Sequence, residues 1–130
     1  MTEIQAIGLM IDHLKGQFPR SCSNCQRRFP TLRDYFENTK PAGEPISYDL
    51  ELGEAKPQSP MGAVAFSNCH CGSTLGLTSK GMPLLRLWSL MHWVKHEAQR
   101  RGMTLSEFLQ YLRGEVRKKV LSEPDENPRL

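Results

Sequence analysis

The stretch Gly62-Ala-Val-Ala-Phe-Ser-Asn-Cys69-His70-Cys71-Gly72-Ser-Thr-Leu-Gly-Leu-Thr78 decides how this chain is read. Residues 62–68 and 73–78 read as two strands, and a cysteine pair lies between them. The pair therefore occupies the tip of a hairpin, where exposed backbone N–H groups can hydrogen-bond thiolate sulfurs. An earlier pair, Cys22-Ser-Asn-Cys25, brings the number of cysteines to four.

Four thiolates are what a tetrahedral zinc ion needs. Two residues between Cys22 and Cys25 let both sulfurs face inward around one turn of backbone. The single residue between Cys69 and Cys71 does the same across a tight hairpin. The interval from Cys25 to Cys69 can hold a short helix and a strand before returning to the same point.

With Cys22-x-x-Cys25 ahead of a Cys69-x-Cys71-Gly72 hairpin tip, the chain resembles zinc-ribbon-like proteins, whose knuckles carry paired cysteines on loops or hairpin tips. Gln26, not glycine, follows the first pair. The resemblance implies a closed, structural Zn2+ site made by Cys22, Cys25, Cys69 and Cys71. A closed site has no coordination position for water and so no zinc hydroxide nucleophile.

Other readings of the four cysteines stay open. An iron–sulfur cluster also takes four thiolates. A redox switch would eject the metal on oxidation. Two local disulfides are a further reading, strained by geometry across Cys69 and Cys71. Arg27 and Arg28 would lower thiolate pKa values and offset the charge of a metal site, or form an exposed basic patch.

Upstream, Ile4, Ile7, Ile11 and Leu14 recur at helical spacing beside Met10, and Gly16 supplies a stop, which predicts a helix over 3–15. Pro30-Thr31 opens a helical turn over 32–38. Residues 39–45 read as a loop, and Ile46 to Leu52 alternates as a half-buried strand does. A second, proline-containing loop spans 53–61. The region 18–80 thus predicts a metal-linked, three-stranded antiparallel sheet.

Downstream the period becomes helical. Leu84, Leu87, Trp88, Met91, Val94 and Ala98 mark one face of a helix over 84–101, widened by Leu85, Leu90 and Trp93. Gly102 breaks it, and Thr104-Leu-Ser-Glu107 is a capping box that opens a second helix to 121. The fold expected is α+β, one domain over 1–121, with a disordered tail at 122–130.

Net charge is only +3, which by itself makes no case for nucleic acid or membrane. Basic residues nevertheless gather in the last two helices: Arg100, Arg101, Arg113, Arg117, Lys118 and Lys119. The strand–helix–turn–helix from 74 to 120, with Arg101-Gly-Met-Thr-Leu-Ser-Glu-Phe108 at its turn, is similar to ribbon-helix-helix DNA-binding dimers. That resemblance implies contact of those basic residues with nucleic acid or an acidic partner. In that family the strand presents polar or basic side chains to base edges, and this strand offers only Thr74, Gly76 and Thr78 on one alternating face. Contacts from the helix ends would give affinity without sequence choice.

His92 and His96 stand at i and i+4 without the glutamate of a zinc-protease helix, and His70 lies between two ligands, its ring expected to point away. His13 is isolated. No phosphate loop, nucleophile elbow or base for a cysteine nucleophile appears, so catalysis is not expected. No secretory signal or membrane span is read, and a reducing cytoplasmic setting is expected. The expected role is that of a zinc-binding regulatory or adaptor protein, working through a protein partner or a homodimer at the apolar helix 84–101. The alternatives are a DNA-binding regulator and a redox-sensing or electron-transfer protein with an iron–sulfur centre.

Overall fold

A computed structural model describes residues 1–49, 54–55 and 62–123. In chain order the elements are α1 (Glu3–Lys15), β1 (Arg20–Ser21), β2 (Arg28–Phe29), α2 (Leu32–Asn38), β3 (Lys40–Pro41), β4 (Ile46–Asp49), β5 (Glu54–Ala55), β6 (Gly62–Asn68), β7 (Thr74–Thr78), α3 (Leu84–Arg100) and α4 (Leu105–Ser122). The class is the expected α+β, with an N-terminal helix, antiparallel sheets and two C-terminal helices.

The main sheet has five strands, two more than the sequence reading allows. β6 is its centre. Along one edge it pairs antiparallel with β7, from Val64 opposite Thr78 to Asn68 opposite Thr74. Along the other it pairs with β4 at Ile46–Val64 and with β3 at Lys40–Asn68, so β3 and β4 lie end to end. β4 in turn pairs with β5.

Both additions fall in stretches read as loops. Two-residue ladders carry no alternation to detect, and Pro41 lacks the N–H that a continuing strand would use. A third unanticipated ladder, β1 with β2, pairs Arg20 with Phe29 and Ser21 with Arg28. It places the first cysteine pair on a hairpin of its own. The end of the expected 46–52 strand, the rest of the 53–61 loop and the tail from 124 lie outside the described residues.

The inner face of the sheet is built from Ser67, Leu75 and Leu77, which are buried. Leu87, Leu90, Met91, Val94 and Ala98 of α3 and Phe108, Leu109, Leu112, Val116 and Val120 of α4 complete the core with Ala6, Ile7 and Ile11 of α1. The same core extends to Tyr35 of α2, which meets Phe18 and Phe29 edge-on at 5.5 Å and Phe36 at 5.9 Å. Offset edge-to-face pairs of this kind add to simple burial.

The helix ends follow local chemistry. Thr2 with Gln5 and Thr104 with Glu107 form capping boxes, and Thr31 caps α2 by accepting from the Asp34 amide. Gly102, at φ 69°, turns α3 into α4. Four residues assigned to apolar faces are exposed. Ile4 is 80% exposed, because the first turn of α1 is held by Glu3 bonding to Arg101 and Tyr111. Leu84 and Trp88 are 68% and 55% exposed, and the widening residue Leu85 is 85% exposed. The sheet and α4 cover the face that begins at Leu87 and leave the first turns of α3 bare.

Candidate metal centre

Two hairpin tips face one another at this centre, and they are built alike. In the first, the Cys22 amide donates to the Arg27 carbonyl (2.9 Å) and the Gln26 amide donates back to the Cys22 carbonyl (2.8 Å). In the second, the Cys69 amide donates to the Ser73 carbonyl and the Gly72 amide to the Cys69 carbonyl, both at 2.8 Å. Each turn closes through a residue at positive φ, Gln26 at 66° and Gly72 at 93°. The ladders β1–β2 and β6–β7 fix the bases of these turns, so both cysteine pairs are aimed by hydrogen-bonded backbone.

The result is a cluster of four sulfurs within 4.8 Å of one another. Cys22 Sγ lies 3.7 Å from Cys71 Sγ, and Cys25 Sγ lies 3.7 Å from Cys69 Sγ. All four cysteines are free; each hairpin contributes one buried sulfur, from Cys22 or Cys69, and one half-buried, from Cys25 or Cys71. The structure thus brings together all four residues that the sequence singled out, in an arrangement able to hold a metal ion.

Polar hydrogens already point at the sulfurs. Asn24 Nδ2 donates to Cys71 Sγ at 3.4 Å. That bond, with others from the Ser73 hydroxyl and amide, lowers the Cys71 pKa to about 5. Cys22 is lowered too, by the backbone amides of Cys25 and Asn24. At Cys25 the Arg27 amide favours the thiolate, but burial and the neighbouring thiols outweigh it and push the pKa up to about 11. The Arg27 guanidinium lies over the Phe29 ring at 5.4 Å. His70 is exposed, its Nδ1 3.6 Å from Cys69 Sγ, and it stands outside the sulfur cluster.

The basic residues of the helix pair have other attachments. Arg101 bonds to Glu3 at 2.6 Å and stacks over Phe108 at 4.9 Å, and Arg100 bonds to Glu97. Arg113 donates to the Gly43 carbonyl (2.8 Å) and Arg117 to the Phe36 carbonyl (2.9 Å), tying α4 to the β3–β4 connection and to α2. Lys118 pairs with Glu115 at 3.0 Å, and Lys119 is exposed. On the exposed side of α3, His92 stacks on Trp88 (5.1 Å) and lies tilted against His96 (4.3 Å).

The β1–β2 hairpin and the sulfur donors Asn24 and Ser73 escaped the sequence reading. The only sequence trace of the donors is that short polar residues flank the cysteines. Among the described residues no helix is long and apolar enough to cross a membrane. Comparison of the chain with protein-family models, with curated proteins and with solved structures finds no match.

Proposed function

We propose that the four cysteines hold one structural Zn2+ in the manner of a zinc ribbon, and that the protein is a non-enzymatic adaptor or regulator acting through a protein contact. The observation that carries the metal reading is the sulfur spacing. Tetrahedral zinc with Zn–S bonds of about 2.3 Å puts its sulfurs about 3.8 Å apart, and both cross-hairpin pairs are at 3.7 Å. A multi-iron cluster spreads its thiolates over separate irons, which the 4.8 Å limit on this set leaves little room for. With all four ligands supplied by the chain, the metal has a structural role and no open position for substrate.

Zinc would supply cross-linking here, and the chain's residues supply the rest. Cys22 and Cys25 anchor the β1–β2 hairpin, Cys69 and Cys71 anchor β6–β7, and Asn24 and Ser73 stabilise the Cys71 thiolate. The contact surface falls to the exposed start of α3, where Leu84, Leu85 and Trp88 stand uncovered. Large apolar side chains grouped on an exposed helix turn mark a partner-binding surface, either another protein or a second copy. The basic helix pair supports nucleic-acid binding less well, because Arg113 and Arg117 each hold a backbone carbonyl.

Elemental analysis with an absorbance spectrum of the purified protein tests the metal. One zinc per chain and no visible absorbance is expected; a coloured, iron-containing protein would overturn the reading in favour of an electron-transfer centre. For the contact surface, Leu85→Glu with Trp88→Glu should keep metal and fold and abolish self-association or partner capture. Unchanged association in that double variant would move the contact elsewhere.

A further inference from the structure

One ridge of α3 faces away from the core. Leu84, Trp88, His92, His96 and Arg100 follow one another four residues apart, which places them in a single row along the helix. Every member of the row is exposed, while the opposite face, from Leu87 to Ala98, is buried. The row is apolar at Leu84 and Trp88 and turns to imidazole at His92 and His96.

The two imidazoles are set for a metal. Their ring centroids are 4.3 Å apart, and His92 stacks on Trp88 at 5.1 Å with the ring planes 15° apart. Stacking covers a face of the His92 ring and leaves its edge, where the nitrogens lie, open. Among the described residues neither imidazole has a hydrogen-bond or ion-pair partner. Nitrogen donors at about 2.0–2.1 Å from a tetrahedral zinc ion stand about 3.3 Å apart, a separation that rings on successive turns reach by side-chain rotation. Histidines at i and i+4 are a recurrent way for one helix to hold zinc.

The pair is half of a site. Zinc takes four ligands, and among the described residues the only group of three or more candidate ligands is the cysteine cluster. His92 and His96 therefore need two donors from outside the chain. A second copy brings the same two, and a two-fold axis through the metal makes the row meet itself. Rows of four-residue period interlock in the commonest class of helix packing. Trp88 lies about 6 Å along the helix from His92, so a crossing at the histidines puts the exposed apolar turn beside the ion. A row of five side chains falls well short of the about 20–30 residues a side of a stable interface. Association through it depends on the ion.

We propose that His92 and His96 of two copies bind one zinc ion and join the chains through α3 as a zinc-dependent homodimer. The choice of partner rests on the reading of the exposed start of α3 as a contact surface; the histidine pair does not. This ion is shared and exposed, unlike the one held by the cysteines, so dimerisation follows the supply of exchangeable zinc.

Protein holding one zinc per chain, titrated with further zinc and followed by calorimetry and sedimentation velocity, tests this. It should start as a monomer and double in mass as it takes up one more ion per two chains. The double variant His92→Ala, His96→Ala replaces exposed side chains with the best helix former. It should keep its fold and its first zinc and stay monomeric throughout the titration. Leu84→Lys with Leu85→Lys, which leaves the histidines and Trp88 in place, should weaken the zinc-driven dimer about tenfold. No further ion bound, one further ion per chain without association, or a dimer that survives loss of both histidines would each overturn the proposal. A parent dimer that needs no added zinc would overturn it too, while leaving the contact surface standing. Zinc-driven association unaltered by Leu84→Lys, Leu85→Lys would refute the contact surface alone and support the histidine bridge.

Discussion

Gln26 holds the place in the first cysteine turn that Gly72 holds in the second. Each donates its amide to the carbonyl of the leading cysteine at 2.8 Å, and each sits at positive φ, 66° and 93°. A residue with a Cβ is disfavoured in this region by about 1–2 kcal/mol, and glycine is not. Gln26→Gly should therefore stabilise the metal-loaded protein by up to about 1 kcal/mol, part of the gain being offset by loss of the exposed Gln26 Nε2 bond to the Ser23 carbonyl. Gly72→Ala should cost about 1–2 kcal/mol, although nothing lies within 4 Å of the added Cβ. Thermal unfolding of the two variants checks this, and a Gly72→Ala protein as stable as its parent would show that backbone conformation does not govern the turn.

Removing the metal should act on more than the turns. Cys22 and Cys69 are buried in the same core as Phe29 and Leu75, so four unligated thiols would leave the two hairpins without a link. Structural zinc contributes folding free energy of about 10 kcal/mol or more in small sites. A tight chelator, or Cys69→Ser, should lower the melting temperature by more than about 10 °C, as a loss of several kcal/mol does in a domain of this size. Circular dichroism should retain much of the helical signal from α3 and α4. Unchanged melting and metal content in Cys69→Ser would defeat the structural role of the site.

Asn24 should set the pH at which the site fails. Its amide is the leading reason that the Cys71 thiol lies near 5, well below the ordinary value. A folded-state pKa depressed in this way contributes stability that is complete above the unfolded value. That contribution falls as pH drops and is gone once pH passes below about 5. Asn24→Ala favours the protonated thiol, so metal release on acidification should begin at higher pH. Affinity at neutral pH should fall by about tenfold, as for other groups that orient metal ligands. Competition with a chromogenic chelator across pH 4–8 reads both effects, about the range where thiol protonation competes. Superimposable curves for the two proteins would remove Asn24 from the site's chemistry.

How much of this was legible in sequence follows from the length of each signal. The hairpin 62–78, the four ligands, α1 to α4 and the Thr104 capping box each extend over enough residues to show a period or a fixed spacing. β1, β2, β3 and β5 are two residues long and show neither. Their pairing is dictated by the strand or the cysteine turn beside them. Ile4, Leu84 and Trp88 fit a helical apolar period but are left exposed, because periodicity identifies a face without saying how far its neighbours extend. The attachments of Arg113 and Arg117 link positions 70 and 81 residues apart in the chain. No local pattern reports such contacts, and a cluster of basic residues reads the same whether it binds a partner or a carbonyl.

Arg117 tests that distinction. Its guanidinium donates to the Phe36 carbonyl near the C-terminal end of α2, where helical carbonyls lack partners within the helix. Arg117→Ala should destabilise the protein by about 1–2 kcal/mol, the cost of leaving a partly buried acceptor without its charged donor. Lys118→Ala and Lys119→Ala, on exposed side chains, should change stability by less than about 0.5 kcal/mol. Denaturant titrations of the three variants provide the comparison. Equal, negligible effects would return Arg117 to the pool of residues available for nucleic acid.

The outer edge of β7 poses a last question, because an edge strand invites pairing with another chain. Its carbonyls at Gly76 and Thr78 are already engaged: Arg20 donates to Gly76 at 2.7 Å and Gln17 to Thr78 at 2.7 Å, with His13 Nε2 3.1 Å from the same Thr78 oxygen. These three side chains come from α1, from the connection that follows it and from β1, so the segment leading into the first cysteine hairpin also shields the sheet. The double variant Arg20→Ala, Gln17→Ala removes two of these three contacts while leaving the four cysteines and the α3 surface untouched. It should keep its metal and yet aggregate or self-associate through β7, seen as a concentration-dependent rise in light scattering on warming. Introducing proline at Gly76 in that background should not restore solubility if the association uses the α3 patch, and should restore it if the edge is the route, since proline interrupts strand pairing. A double variant that stays monodisperse on warming would show that these contacts orient α1 on the sheet and do not guard its edge.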